Sequence, residues 1–228
     1  MRDDLGDKIK RNFEDALRIQ LPRRTHVVIR VDGRRFHTFT KQLERPYDRR
    51  LADALDTAAL ALASEMPGCR LGFGQSDEYS FLLTDFGSEH EKMWFDGNVQ
   101  KIVSVAASIF TANFTQAFSP ATFDARVMVI PQRADVLAYF VWRQLDASAN
   151  SLNMLASAHY THDELLGKST AEKHDLLHAK GLNWAHAETS FKRGRVIRPA
   201  ARGFEVDPEP PIFTQAPDYL GALIPEGA

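Results

Sequence analysis

The chain has 228 residues, 44% apolar and 25% charged, which is enough to form a packed core in one large domain or a domain with an appendage. The formal net charge of −2 excludes a uniformly basic protein, so nucleic acid could bind only to a local basic patch. The single cysteine, Cys69, excludes an internal disulfide and a cysteine-rich zinc site, as is typical of a reducing compartment.

The first half of the chain predicts a strand, a helix and a β-hairpin. Residues 26–31 are apolar and β-branched and precede an Asp-Gly pair, which predicts a buried strand. Residues 49–66 carry Ala and Leu at helical spacing before a Pro-Gly pair, which predicts a helix. The runs 70–73 and 79–83 flank a polar turn, which predicts the hairpin.

The following segments predict an α+β fold. Residues 90–118 have the apolar spacing of a long amphipathic helix, and residues 125–130 that of a strand. The order β-α-β-β-α-β is that of the ferredoxin-like unit, a four-stranded antiparallel sheet with helices on one face. Further helices are predicted at 134–156, after His162 and at 170–180, the last of which begins with a capping box and ends at a glycine.

The carboxyl-terminal residues 205–228 differ from the rest, with five prolines, five acids and no Lys or Arg. We expect an extended tail without a regular helix or central strand, loose or draped over the body. It would follow one domain, residues 1–204, with a helical extension over about 134–204. No apolar run approaches the roughly 20 residues that cross a bilayer, and the charged amino terminus lacks a signal core. We therefore expect a soluble, cytoplasmic protein.

Acidic residues flank the predicted central strands. Asp32 follows the first strand, and Asp77 and Glu78 occupy the hairpin turn. The first and third strands of this topology are adjacent, so Asp32 and Asp77 should meet at one edge of the sheet. Each acid alone is typical of an ordinary turn, but two adjacent carboxylates repel unless a cation lies between them. Mg²⁺ binds carboxylates together with substrate phosphates, so the pair predicts a two-metal site.

Two basic stretches accompany this site. Residues 18–35 hold six arginines against one acid, and residues 189–204 hold five basic residues and no acid. Such runs are usually solvated surface, and phosphate binding is the alternative. Beside Asp32, Gly33 allows close backbone approach, and Arg34 and Arg35 suit phosphate oxygens.

Several segments resemble the tRNA-His guanylyltransferase superfamily. Residues 28–37 and 74–81 are similar to its two signature motifs. Residues 123–127, 142–144 and 191–194 resemble three further markers, in the family's order.

The resemblance implies a polymerase-palm core and Mg²⁺-dependent 3′–5′ addition of GTP or other nucleotides to the 5′ end of tRNA, which ATP can activate. It implies two Mg²⁺ ions held by Asp32, Asp77 and the carbonyl of Gly33, with Glu78 supporting catalysis. It also implies a homotetramer. The implied nucleotide-binding residues are Asp32, Gly33, Arg34, Arg35, Phe36, His37, Arg45, Ser76 and Asp77, and the candidate tRNA contacts are Asn150, Lys192, Arg193, Arg195 and Arg198.

One departure from the family pattern bears on the substrate. Where the eukaryotic enzymes carry His-Ile-Asn-Asn, this chain has Ser148-Ala149-Asn150-Ser151, which resembles the bacterial branch of guanylyltransferase-like enzymes. That branch implies templated repair of 5′-truncated tRNA, and untemplated G addition to tRNA-His is the alternative.

Two other functions fit the topology. A nucleotide cyclase of the GGDEF type shares the two-metal logic, but the hairpin here reads Gln-Ser-Asp-Glu. A non-catalytic RNA-binding module needs aromatic residues on an open sheet face, and the hairpin strand lacks that pattern.

Overall fold

A computed structural model describes residues 4–87 and 90–227; residues 1–3 and 228, at the ends of the predicted domain and tail, lie outside this range. Within it, the strands are β1 (His26–Gly33), β2 (Cys69–Gln75), β3 (Glu78–Leu83), β4 (Phe123–Ile130), β5 (Arg195–Pro199) and β6 (Phe204–Asp207). They form one antiparallel sheet in the order β4-β1-β3-β2-β5-β6.

Nine α-helices of the described residues precede, connect and follow these strands. They are α1 (Asp4–Ile9), α2 (Phe36–Phe39), α3 (Arg49–Glu65), α4 (Val99–Ala117), α5 (Arg133–His159), α6 (His162–Leu165), α7 (Thr170–Ala179), α8 (Thr189–Arg193) and α9 (Pro217–Leu223). No helix in these ranges is long and apolar enough to span a membrane.

The predicted α+β fold is confirmed, since β1, α3, β2, β3, α4 and β4 follow the β-α-β-β-α-β order. The sheet has two strands more than the four predicted. Strand β5 pairs with the free edge of β2, with Gly72 opposite Ile197, and β6 then pairs with β5.

The predicted start of the long helix at residue 90 is wrong. Helix α4 begins at Val99, where the Asn98 side chain accepts a hydrogen bond from the Lys101 amide at 3.1 Å. Phe95 and Asp96 have positive φ angles just before this cap, and a right-handed helix cannot run through such residues.

Alternating side chains on the strands pack against two layers. Val27, Ile29 and Val31 of β1 face the cluster built by α3 and α4. Val28, between them, faces the opposite cluster, which holds Phe140 of α5. The sheet of the described residues is therefore covered on both faces, with α3 and α4 on the predicted face and α5 on the other.

The carboxyl-terminal segment contains regular structure, so the expectation of a tail without a helix is wrong. The boundary after residue 204 falls inside β6, and α9 follows. Pro217 lies in the first turn of α9. Backbone N–H groups there have no partner within the helix, so proline, which lacks an N–H, is well tolerated. Phe213, Leu220 and Ile224 are each 1% exposed and pack in the α5 cluster, which explains why the segment is ordered.

Candidate functional site

The carboxylates of the first strand and of the hairpin turn meet at one edge of the sheet. Asp32 is the direct partner of Glu78 in the antiparallel β1–β3 register. Asp77 immediately precedes Glu78, and a Cβ built on Gly33 would lie 2.7 Å from Asp77 Oδ2. Asp32 and Asp77 also line the same cavity. The topological prediction that these two acids come together is therefore confirmed.

The surroundings of Asp77 make its negative charge costly. Burial raises the pKa of Asp77 to about 6, the charge of Asp32 adds to this, and a hydrogen bond from the Ser76 hydroxyl at 3.0 Å opposes it. Asp77 is half-buried. A cation bound between the two carboxylates would favour their ionised forms.

The donor set at this edge fits a hard divalent cation. The described residues contain no cluster of three or more His, Cys, Asp or Glu that could hold a metal. A metal ion at this edge would have to be held by the carboxylates of Asp32 and Asp77 together with backbone and substrate oxygens. Magnesium is commonly bound in this way, through one or two carboxylates and phosphates.

Two arginines hold Glu78. Arg143 of α5 lies 2.7 Å from Glu78 Oε1, and Arg30 of β1 lies 3.6 Å from Oε2. Burial raises the pKa of Glu78, and the two guanidinium groups oppose that rise. Arg143 also contacts Asp146 at 3.2 Å and is only 5% exposed. Through these contacts Glu78 joins α5 to the hairpin turn.

The turn itself has an unusual backbone. Ser76 has φ of 53°, in the left-handed region that non-glycine residues rarely occupy and that is often found at functional sites. Behind the turn, a Cβ on Gly74 would lie 2.1 Å from the ring of Tyr79. The glycine therefore allows Tyr79 to pack under the turn that carries Asp77.

Two cavities adjoin at this turn. One, of about 400 Å³, is lined mainly by apolar and aromatic side chains, among them Phe36, Tyr47, Leu51, Leu55 and Met154. The other, of about 390 Å³, is polar; its lining includes Asp32, Gln75, Glu78, Arg143, Asp146, Asn150 and Asn153. Ser76, Asp77, Met154 and Ser157 line both. We call them the apolar cavity and the polar cavity; such volumes suit small-molecule ligands.

Most predicted nucleotide-binding residues lie at these cavities. The apolar cavity is lined by Phe36, His37 and Arg45, and both cavities by Ser76 and Asp77. Phe36 is 6% exposed and packs in the core, so it shapes the wall. Arg34 and Arg35 are exposed and line neither of the two cavities.

The predicted tRNA contacts separate into different groups. Arg195 is 3% exposed and paired with Asp56 at 2.7 Å, which is incompatible with contact to an RNA backbone. Lys192 is 8% exposed and donates to the Ala185 carbonyl, so it too is a structural residue. Arg198 pairs with Glu205 at 2.9 Å, which already offsets its charge. These three predictions are therefore not supported.

The other two predicted tRNA contacts remain accessible. Arg193 is partly exposed at the end of α8. Asn150 lines the polar cavity and donates a hydrogen bond to Asp146 at 3.1 Å. Ser151, in the segment that departs from the family pattern, is buried and accepts a hydrogen bond from the Trp184 indole at 3.0 Å.

Sequence reasoning missed several residues of the polar cavity. Asp146, Asn153 and Ser157 project from α5 into the polar cavity at spacings of seven and four residues, which places them on one helix face. The helical pattern around the Trp-Arg-Gln marker could have indicated this polar stripe.

Comparisons with known proteins identify the family of the chain. The model of the tRNAHis guanylyltransferase (Thg1) family matches residues 7–131, more than half of the chain. The tRNA(His) guanylyltransferase of Schizosaccharomyces pombe is 31% identical over 194 residues, which span 75% of this chain and 72% of that protein. The Debaryomyces hansenii enzyme is 29% identical over 198 residues, 76% of this chain and 73% of that protein.

Solved structures extend the similarity over almost the whole chain. A bacterial tRNA(His) guanylyltransferase (Thg1)-like protein in complex with ATP is 39% identical with a TM-score of 0.91, covering 97% of this chain and 99% of that one. A structure of such a protein with GTP is 37% identical with a TM-score of 0.85, at the same coverage. The chain therefore belongs to the tRNAHis guanylyltransferase family of nucleotidyltransferases.

Proposed function

We propose that this protein is a Mg²⁺-dependent 3′–5′ nucleotidyltransferase that adds nucleotides to the 5′ end of tRNA and repairs 5′-truncated tRNA by templated addition. The observation that carries the proposal is the convergence of Asp32 and Asp77 beside Gly33, where the two cavities adjoin. Family membership supports the transfer reaction, and the bacterial-type segment 148–151 supports the repair role.

The chain's own residues would perform distinct tasks in this reaction. Asp32, Asp77 and the Gly33 carbonyl would hold Mg²⁺, which when bound supplies Lewis-acid stabilisation of phosphate oxygens and of the attacking hydroxyl. Ser76, which lines both cavities, would turn its hydroxyl from Asp77 to a phosphate oxygen when the substrate binds. Arg143 would keep Glu78, and with it the adjacent Asp77, in position through their 2.7 Å ion pair.

The two cavities suggest where the substrates bind. The walls of the apolar cavity suit a nucleobase, and the exposed Arg45 in its lining suits a phosphate. The polar cavity would then take the triphosphate and the 5′ end of the tRNA. GTP, other nucleoside triphosphates and ATP are the proposed substrates, in keeping with the ATP and GTP held by the similar bacterial proteins.

Contacts to tRNA are proposed for Arg193 and Asn150. Arg193 is a partly exposed cation, and neutralising a backbone phosphate would make tRNA binding depend on salt. Asn150 lies at the polar cavity, where the tRNA end would enter.

A homotetramer is the assembly that we propose. The amino-terminal segment exposes large apolar side chains, which a subunit contact would bury. They are Leu5, Phe13, Leu17 and Ile19, exposed by 70%, 66%, 71% and 66%. Light scattering on the purified protein would test the assembly.

The covered sheet counts against a non-catalytic RNA-binding module. Such a module stacks RNA bases on an open sheet face. In the described residues, α3 and α4 pack on one face, and α5 with the carboxyl-terminal segment packs on the other.

The experiment that tests the proposal offers Mg²⁺ and labelled nucleotides with two acceptors: intact tRNA-His, and a tRNA that lacks its first 5′ nucleotide. We expect rapid, base-pair-directed filling of the truncated tRNA. Preferred addition of a single G to intact tRNA-His would replace the repair role by untemplated addition. Extension of neither acceptor would overturn the proposal.

A further inference from the structure

Arg195 occupies an unexpected place in the apolar cavity. Asp48 and Arg195 are the buried polar side chains in its lining, and the rest of the buried lining is apolar. The Asp48 carboxylate is fully engaged as the cap of α3, accepting from the amides of Arg50 and Leu51. Arg195 is thus the buried hydrogen-bond donor of the cavity wall.

A buried network fixes the Arg195 guanidinium. Its Nε donates to Asp56 Oδ1 at 2.7 Å, and one terminal nitrogen, Nη2, donates to the Tyr79 hydroxyl at 2.6 Å. Tyr79 in turn donates to the same Asp56 oxygen at 2.5 Å. Burial raises the pKa of Tyr79 well above its usual range, so its hydroxyl stays protonated as this donor. The network joins α3, β3 and β5.

The second terminal nitrogen, Nη1, is left over. It makes no hydrogen bond to any residue that the structure describes. It is also not fully buried, so it reaches open space. The open space that Arg195 lines is the apolar cavity. Replacing a buried ion pair by well-packed apolar side chains is often neutral or stabilising, so stability alone does not account for an arginine here. A hydrogen-bond donor that reaches the cavity does account for the arginine.

We infer that Arg195 is a positioning residue for the bound nucleotide, with Nη1 donating a hydrogen bond to a ring nitrogen of the purine base. The inference rests on the proposed function, because it places the base in the apolar cavity. The similar bacterial proteins hold ATP in one case and GTP in another. The acceptor must then be an atom that both purines have. N7 and N3 are present in both, whereas adenine carries an amino group at the position of guanine O6.

The test combines a change in the ligand with a change in the protein. Binding of ATP, 7-deaza-ATP and 3-deaza-ATP is measured with Mg²⁺ and the full chain, for the wild type and for Arg195→Lys. We expect one analogue to bind about five- to tenfold more weakly than ATP to the wild type, which is the effect of one lost hydrogen bond. Arg195→Lys should bind ATP more weakly and no longer distinguish that analogue, because one ammonium cannot both pair with Asp56 and reach the base.

The matched control is Arg198→Lys, an arginine three residues along the same strand that is half exposed and paired with Glu205. This variant should bind the weaker analogue less tightly than ATP by the same factor as the wild type does. If both analogues bind the wild type as tightly as ATP does, the inference is overturned without any variant. An equal loss in wild type and Arg195→Lys would overturn it as well. If no purine nucleotide binds to the wild type, the proposed function fails first.

Discussion

Asp32 and Glu78 face each other across the β1–β3 pair, which places Asp77, the residue before Glu78, beside the end of β1. This register explains how two acids 45 positions apart in the sequence come to line one cavity. Glu78 is held by two arginines, whereas Asp77 has no ion pair within the described residues. The register brings Asp77 to the same edge as Asp32, which lies 3.7 Å from Arg126, and we propose that these two carboxylates hold the cation.

Gly33→Ala should disrupt the site. The added Cβ would lie 2.2 Å from the Phe36 ring and 2.7 Å from Asp77 Oδ2, so one of them must move. We expect a loss of about 1–3 kcal/mol in unfolding free energy, as for other overpacked positions, together with loss of nucleotide transfer. Urea unfolding measures the loss of stability, and the addition assay measures the loss of transfer.

Gly221→Ala is the control for that substitution. Gly221 lies within α9, its φ is not positive, and its nearest neighbour would be Arg133 at 3.7 Å. It should leave activity unchanged and stabilise the protein by up to about 1 kcal/mol. Equal effects at the two glycines would contradict the steric account of Gly33.

Asp77→Asn should stabilise the metal-free protein. Because burial and Asp32 raise the pKa of Asp77 to about 6, its ionisation at neutral pH costs free energy in the folded state. Allowing for partial exposure, we expect the variant to be more stable by about 1–2 kcal/mol. Mg²⁺ should raise the Tm of the wild type more than that of the variant, since a ligand of the folded state stabilises it. A less stable metal-free variant would contradict this.

Asp48 should make stability depend on acid pH. A hydrogen bond from the Arg50 side chain and backbone amides lower the pKa of Asp48 to about 2. A lowered carboxyl pKa stabilises the folded state above the unfolded value of about 3.9, and this contribution is lost as pH falls towards 2. Asp48→Ala, which also removes the cap of α3, should cost about 1–2 kcal/mol near pH 6.

The Asp48→Ala comparison is made by urea unfolding at pH 6 and pH 3. The difference from the wild type should be smaller at pH 3, since the unfolded wild type then binds a proton that the folded one does not. Asp53→Ala, an exposed acid on the same helix, serves as control and should show little change at either pH. A difference for Asp48→Ala that is independent of pH would rule out the ionised cap.

Gln144 should couple the carboxyl-terminal segment to α5. Its amide donates to the Pro211 carbonyl at 2.9 Å and accepts from the Phe213 amide at 2.8 Å. Gln144→Leu leaves the buried Phe213 amide and the partly buried Pro211 carbonyl without this partner, which costs about 1–3 kcal/mol. Limited proteolysis should then cleave the segment after residue 207 sooner than in the wild type. Unchanged proteolysis would mean that apolar packing alone holds the segment.

The sequence predicted the parts of the fold that local patterns encode. The apolar spacing of α3 and the apolar, β-branched run of β1 are local signals, and the order of elements then predicted that Asp32 and Asp77 meet. The start of α4 was misplaced because the apolar spacing continued past a cap at Asn98, and Asn98 lies inside the predicted helix.

Contacts between distant residues could not be predicted in this way. Arg195 belongs to a basic run, and its burial depends on Asp56, which is 139 residues away. The composition of the run indicated a solvated or phosphate-binding surface, whereas the strand β5 that carries Arg195 pairs with β2 and turns the side chain inward. Similarly, the proline-rich composition of residues 205–228 concealed the apolar side chains that anchor α9.

The most direct test of the central claim is single-nucleotide addition to a 5′-truncated tRNA by Asp32→Asn and Asp77→Asn, with Asp53→Asn as control, across a Mg²⁺ titration. The account predicts that both site variants remain folded and bind tRNA but lose transfer at every Mg²⁺ concentration, while the control matches the wild type. Wild-type turnover by either site variant would contradict the assignment of these two carboxylates as the metal-binding pair.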